Sequence, residues 1–252
     1  SRAPSCRSRA PSCRSRARSL CDVTPPLPGS GPLAAVLFDL DGVLVASEPI
    51  WRAVEAEVVR RAGHELSEET ARATKGLRID EVVRFWRDEL GWSDIDPEAV
   101  EAAVVDGVIE GIEKEPALPG ALDAIATARR HGLKLAVASA SPSRLLTATL
   151  RHLGLEDRFD AVISAEHDPY GKPHPAVFLR AADALGVAPT ACLVVEDSAN
   201  GVVAAKAARM RCVAVPEPGE ALSPAFALAD AVLTSLADFD DDLLARLGPP
   251  PS

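Results

Sequence analysis

The sequence predicts an α/β fold: a doubly wound parallel sheet with an all-helical domain inserted after the first strand. Three observations carry that reading. From residue 133 onward, short apolar runs alternate with stretches of helical periodicity, the pattern of parallel strands covered by helices on both faces. Between Ser47 and Glu115, apolar residues recur only at helical spacing. The apolar run at 34–38 ends in Asp-Leu-Asp-Gly, and later runs also end in acidic or hydroxyl residues. Strand ends of this kind are where open α/β sheets bind ligands.

Taken in order, residues 1–32 stand apart. Ser-Arg-Ala-Pro-Ser-Cys-Arg fills 1–7 and recurs at 8–14, and the first 21 residues hold six Arg and no acid. Such a segment buries too little apolar surface to fold and reads as disordered, with 23–32 a Pro/Gly-rich linker. Its composition fits an organellar transit peptide; translation upstream of the true start and a fragment end fit equally. No apolar stretch follows the arginines, as a secretory signal requires. The expected location is the cytoplasm, or a plastid or mitochondrion if residues 1–21 are a transit peptide.

The core domain is expected at 33–47 and 116–245, with the helical domain at 48–115. Val54, Val58 and Val59, then Ile79, Val82, Val83 and Trp86, then Val100, Val104, Ile109 and Ile112 mark about four helices there. The linkers fall near Ala46–Ser47 and Lys114–Pro119. Further strands are expected at 133–138, 161–163, 192–195, 211–215 and 231–233. Helices are expected at 119–131, 142–153, 174–186, 198–208 and 223–228.

Charge and cysteine content narrow the function classes. Net charge is −10, and the first 21 residues carry +6, so residues 22–252 carry −16 (−10 minus 6). An acidic body argues against a nucleic-acid groove. No apolar run approaches the ~18–20 residues of a membrane span. The five cysteines show neither a disulfide framework nor zinc spacing, and Cys192 and Cys212 read as buried thiols. His174 reads as the opening of a helix rather than a ligand.

The strand ends supply the chemistry. Asp39 and Asp41 follow the first strand; two carboxylates this close repel unless a cation such as Mg²⁺ offsets them. Ser139 ends the strand at 133–138, Lys172 lies in Gly-Lys-Pro-His-Pro just before a helix, and Glu196 and Asp197 end the strand at 192–195. A nucleophile, a proton carrier, a metal and fixed positive charge are what phosphoryl transfer needs. Taken singly, each residue has a plainer reading: an Asp-Gly turn, a strand-end hydroxyl, a surface lysine.

These four segments resemble the four motifs of the haloacid dehalogenase-like phosphohydrolases, over about residues 34–240. Asp-Gly-Val-Leu-Val-Ala-Ser-Glu-Pro-Ile-Trp at 41–51, and the runs at 76–86, 137–146, 168–179 and 196–216, are similar to the bacterial sugar-phosphatase branch. That branch holds the hexitol phosphatase/2-deoxyglucose-6-phosphate phosphatase group and sits beside the β-phosphoglucomutases. The resemblance implies a Rossmann-like core and a cap that closes over the site.

It also implies roles. Asp39 would be the nucleophile that forms an aspartyl-phosphate, and Asp41 the proton donor and acceptor. Mg²⁺ would be held by Asp39, the Asp41 carbonyl and Asp197, with Glu196 in or just beyond the ligand sphere. Ser139 and the Ala140 N–H would hold phosphoryl oxygens, and Lys172 would neutralise charge. Asn200 and Gly201 would shape the turn that follows. In the cap, Glu48, Trp51 and Arg78 are the substrate candidates. The plainer readings are cap core for Trp51 and surface charge for Glu48 and Arg78. The family commonly carries Asp where this chain has Ala46, so the hinge is expected to lose a hydrogen bond.

The expected function is Mg²⁺-dependent hydrolysis of a small phosphorylated sugar or polyol by a monomer, with no nucleic-acid or membrane partner. The nearer alternative is a β-phosphoglucomutase, whose relatives carry histidine where Trp51 stands. The more distant one is a phosphoaccepting receiver-like module, in which the phosphorylated aspartate ends the third strand rather than the first.

Overall fold

The computed structural model describes residues 31–217 and 223–248. The readings of residues 1–30 as disordered segment, transit peptide and linker lie outside the described residues. Six parallel strands form one sheet in the order β3-β2-β1-β4-β5-β6: β1 (Ala35–Phe38), β2 (Lys134–Ser139), β3 (Ala161–Ser164), β4 (Cys192–Glu196), β5 (Arg211–Ala214) and β6 (Ala231–Val232). Each strand lies within two residues of its expected place.

The strand order follows from burial. β1, β4 and β5 are buried throughout and apolar except for Glu196 at the end of β4 and Arg211 at the start of β5, as strands covered on both faces are. The edge strands β3 and β6 instead leave Val162 and Val232 exposed. Residues alternate between two packed faces. Val36, Phe38, Leu135, Val137, Leu193, Val195 and Val213 pack on α5 (Ala121–Arg130), α6 (Ser143–His152) and α9 (Asp241–Leu247). The smaller Ala35, Leu37, Ala136, Ala138, Cys192, Val194 and Cys212 pack on α7 (Ala176–Leu185) and α8 (Ala199–Ala207). Cys192 and Cys212 are free, buried thiols, as expected.

Two expectations in the C-terminal part need correction. The segment at 223–228 is a 3-10 helix, Pro224–Leu228, rather than an α-helix. The helix α9 was not expected, and it carries the core past residue 245: Leu243, Leu244 and Leu247 are buried, and Asp240 Oδ1 caps it by accepting from Leu243 N at 2.8 Å.

The insert contains α1 (Glu48–Arg61), α2 (Glu68–Ala73), α3 (Ile79–Glu89) and α4 (Pro97–Ile112). In α3, Ile79, Val82, Val83 and Trp86 form the buried stripe. None of the described helices is long and apolar enough to cross a membrane. α1 and α4 approach closely because α4 carries glycine at positions 107 and 111, one turn apart. A Cβ on Gly107 would lie 2.8 Å from Val54 Cγ1, and one on Gly111 would overlap Ile50 Cγ2.

That contact predicts a measurable coupling. Gly111→Val should destabilise the protein by about 1–3 kcal/mol through overpacking, seen as a lower urea midpoint. In an Ile50→Ala background the same substitution should cost less. Equal costs in both backgrounds would show that the approach of α1 does not require the glycine.

Candidate active site

The sheet topology brings four segments together at its carboxyl end. β1 lies between β2 and β4, with Phe38 in register with both Val137 and Val195. Residues that follow these strands therefore emerge side by side, where the strand order reverses. Asp39 extends the ladder by one bond, donating its N–H to the Val195 carbonyl at 3.0 Å. Ser139 and Glu196 are the last residues of β2 and β4.

The loop before α7 delivers Lys172 into this group. Its ammonium lies 3.0 Å from Asp39 Oδ1, bonds to Glu196 Oε1 and sits 4.9 Å from the centre of the Phe178 ring. The side chain is 1 % exposed. Burial works against its charge, but Asp39 and Glu196 outweigh burial and raise Lys172 above the ordinary lysine range. Asp39 is the counterpart. Burial pushes it up, Lys172 pulls it down, Glu196 and Asp41 push it up again, and it settles at about 7.

Glu196 ties the lysine to the turn beyond β4. Its Oε2 accepts from Asp197 N at 3.1 Å, Ser198 N at 3.0 Å and Ser198 Oγ at 3.0 Å. Gly201 lies so close that a Cβ there would overlap the Glu196 carboxyl. Gly201 thus shapes this turn, whereas Asn200 turns to the insert and donates from Nδ2 to the Lys75 carbonyl at 3.3 Å.

Asp39, Glu196 and Asp197 are buried, and each offers a carboxylate oxygen within 4.8 Å of the others. Asp197 is raised well above the ordinary carboxylate range, first by burial and then by Glu196 and Asp39, against the pull of Lys75. Lys75 Nζ stands 3.2 Å from Asp197 Oδ2. With Asp41 included, four carboxylates face the two ammonium groups of Lys172 and Lys75. The deficit and the oxygen donors fit a divalent cation. Gly42, at φ +69°, closes against this cluster, and a Cβ there would overlap Asp197 Oδ2.

Asp41 is held by three donors. Its Oδ1 accepts from Ser47 Oγ at 2.5 Å and Trp51 Nε1 at 3.0 Å, and its Oδ2 from Ser141 Oγ at 2.6 Å. Trp51 lines the cleft, but its indole N–H orients Asp41, a role neither of its expected readings included. Ser47 and Ser141 were not among the expected site residues, although Ser141 stands two positions after Ser139 in the same motif.

The other expected residues divide. Ser139 and Ala140 line the cleft, and Ser139 Oγ accepts from Ser141 N at 3.1 Å. Glu48 also lines it; burial raises its carboxyl against the opposing pull of Lys75. Arg78 does not reach the cleft. It is buried, its Nη1 donates to the carbonyls of Asp168 and Ala165, and its Nη2 pairs with Asp80 Oδ2 at 3.1 Å. It is not a surface charge: its donors fasten insert to core. Lys75 and Arg52 are cations of the cleft that the sequence reading did not include.

Comparison with known proteins agrees with this geometry. A sequence profile described as haloacid dehalogenase-like hydrolase matches residues 33–209. Hexitol phosphatase B of Escherichia coli K12 is 42% identical over 208 residues, covering 82% of this chain and 94% of that protein. A fructose-1-phosphate phosphatase of the same strain is 34% identical over 190 residues, covering 72% of this chain and 96% of that protein. The solved β-phosphoglucomutase of Clostridium difficile shares the fold, with a TM-score of 0.76 at 22% identity over 85% of this chain and 96% of that one. With the profile spanning most of the sequence and a near full-length relative beside it, the chain belongs to the haloacid dehalogenase-like hydrolase family.

Proposed function

We propose that this chain hydrolyses phosphate monoesters of small sugars or polyols with the help of Mg²⁺. The observation that carries the reading is the pair at the end of β1: Asp39, 3.0 Å from a buried lysine, and Asp41, oriented by three donors. The sugar-phosphate phosphatases among its relatives support the substrate class.

Asp39 attacks phosphorus with one carboxylate oxygen as the bond from phosphorus to the sugar oxygen breaks. Asp41 gives its proton to that departing oxygen, leaving an aspartyl-phosphate. Water then attacks the same phosphorus, Asp41 takes its proton, and the bond to Asp39 breaks to release inorganic phosphate. Ser139 Oγ and the Ala140 N–H hold phosphoryl oxygens, while Lys172 offsets the charge that gathers on them and on Asp39. Asp39, Asp197 and the Asp41 carbonyl would hold the metal, with Glu196 adjoining. Bound Mg²⁺ supplies Lewis-acid charge to the phosphoryl oxygens.

Trp51 bears on the mutase alternative. Its indole covers Asp41 where the mutases place a histidine, and a mutase must offer the phosphoryl group to a second sugar hydroxyl rather than to water. Hydrolysis is the reading that Trp51 supports.

Three outcomes test these statements. Chelation with EDTA should abolish phosphate release, and added Mg²⁺ should restore it; full activity in excess chelator rules out the metal. Asp39→Asn, nearly isosteric, should fold and lose turnover by roughly a thousandfold or more. A folded variant with near-native turnover removes the covalent step. Finally, hexitol and hexose 6-phosphates should yield inorganic phosphate without a bisphosphate activator. If β-glucose 1-phosphate becomes glucose 6-phosphate faster than phosphate appears, the enzyme is a mutase.

A further inference from the structure

One acidic side chain lines the cleft without a partner. Glu48, Trp51, Arg52 and Glu55 form the face of α1 that borders the cavity. Glu55 is 7% exposed, yet among the described residues nothing donates a hydrogen bond to its carboxyl and no cation reaches ion-pair distance. Burying a carboxyl without a partner is costly, and a purely structural role would supply one. Of the other insert residues in the lining, Ala71, Leu77, Ile79 and Val82 have no side-chain group that could bond to a hydroxyl, Thr74 Oγ1 donates back to the Thr70 and Ala71 carbonyls, Arg52 pairs with Glu217, and Lys75 pairs with Asp197.

Position along the helix says what Glu55 would meet. Trp51 touches Asp41, which faces the ester oxygen in the proposed reaction. Glu55 lies one helical turn farther on, about 6 Å along the axis. A carboxyl group is a poor partner for a phosphoryl group, whereas Lys172, 3.0 Å from Asp39, is a good one. In the proposed reaction the phosphate is thus placed toward Lys172 and Asp39, which leaves the carbon chain to run toward Glu55.

We propose that Glu55 is a specificity residue that bonds a hydroxyl of the substrate several carbons from the phosphate, so that the enzyme prefers long polyhydroxylated chains to short phosphate esters. The assignment rests on the sugar-phosphatase reading above. Its protonation suits the task. Burial, reinforced by Glu48 and partly offset by Arg52, pushes Glu55 up to about 8. Near neutral pH the group is then mostly the acid, with one donor and one acceptor for an alcohol.

The test compares kcat and KM for sorbitol 6-phosphate and glycerol 3-phosphate in the wild type, Glu55→Gln and Glu55→Leu. Wild type should prefer the longer ester. Glu55→Leu should lower kcat/KM for sorbitol 6-phosphate by about 10- to 100-fold, chiefly through KM, because a substrate hydroxyl is left unpaired. Turnover of glycerol 3-phosphate should barely change, and Glu55→Gln, which keeps a donor and an acceptor, should retain most of the preference. Equal losses on both substrates, no loss on either, or no wild-type preference overturns the role of Glu55 and leaves the phosphatase reading standing. A wild type that releases phosphate from no sugar or polyol phosphate overturns both. Should the leucine variant fail to fold, Glu55→Met makes the same comparison.

Discussion

The ammonium of Lys172, held between Asp39 and Glu196, is the constraint around which the rest of the structure is arranged. A buried charge is tolerable only when partners meet it in good geometry, and losing one partner leaves an uncompensated ion. Here the partners come from different strands and the lysine from a loop of its own. The β1–β4 ladder, with Phe38 opposite Val195, places the two carboxylates side by side. The alanine-rich face of the sheet lets α7 settle close beneath, and its Phe178 closes over the lysine. Glycine at 201 is a further consequence, because Glu196 must come against α8 to complete the triad.

The helical insert is a builder of the site as much as a cover for it. Trp51, on α1, donates to Asp41, and Ser47, at the junction of insert and core, donates to the same oxygen. Among the described residues, Ser141 alone donates to the Asp41 carboxylate from the core side of the cleft. The orientation of the proposed proton carrier therefore depends on the insert being seated. Arg78 on the Asp168 and Ala165 carbonyls, Gly171 N on Glu81 Oε1 at 3.0 Å, and Arg52 with Glu217 at 2.9 Å seat it. The Arg52–Glu217 charge pair is partly exposed and contributes little. The buried Arg78 contacts are the stronger fastening.

How far the site can be read from sequence depends on whether a residue's place is set locally or by distant packing. Asp39, Ser139 and Glu196 are legible because each ends an apolar run, and the ends of parallel strands lie together by topology. The sheet itself is legible for the same reason: two-sided burial leaves short apolar runs at the centres of β1, β4 and β5. Arg78 is not legible, since its partners lie 87 and 90 residues away and no local pattern separates a docking arginine from one that meets substrate. Trp51 fails likewise: an aromatic residue on an amphipathic helix reads as core, and only the fold turns its N–H to Asp41. α9 was missed because seven residues give too short a periodic pattern, although Asp240 as a cap was there to be seen.

Charge balance links the insert to the metal. With the insert seated, four carboxylates face two ammonium groups, and one of these, Lys75, belongs to the loop between α2 and α3. Separating insert from core would withdraw Lys75 from Asp197 and leave Lys172 alone against all four acids. Burial and the neighbouring acids raise Asp39 and Asp197 even in the seated state, against the pull of the lysines. A divalent cation beside Asp39 would lower the cost of keeping that carboxylate ionised, the form the proposed attack requires, while the seated insert brings Lys75 to Asp197. The phosphate group works against both, since it adds negative charge to a site already short of positive charge. In the proposed reaction such a site would hold a phosphate ester best with metal and insert both in place, and the insert would then be part of the binding chemistry.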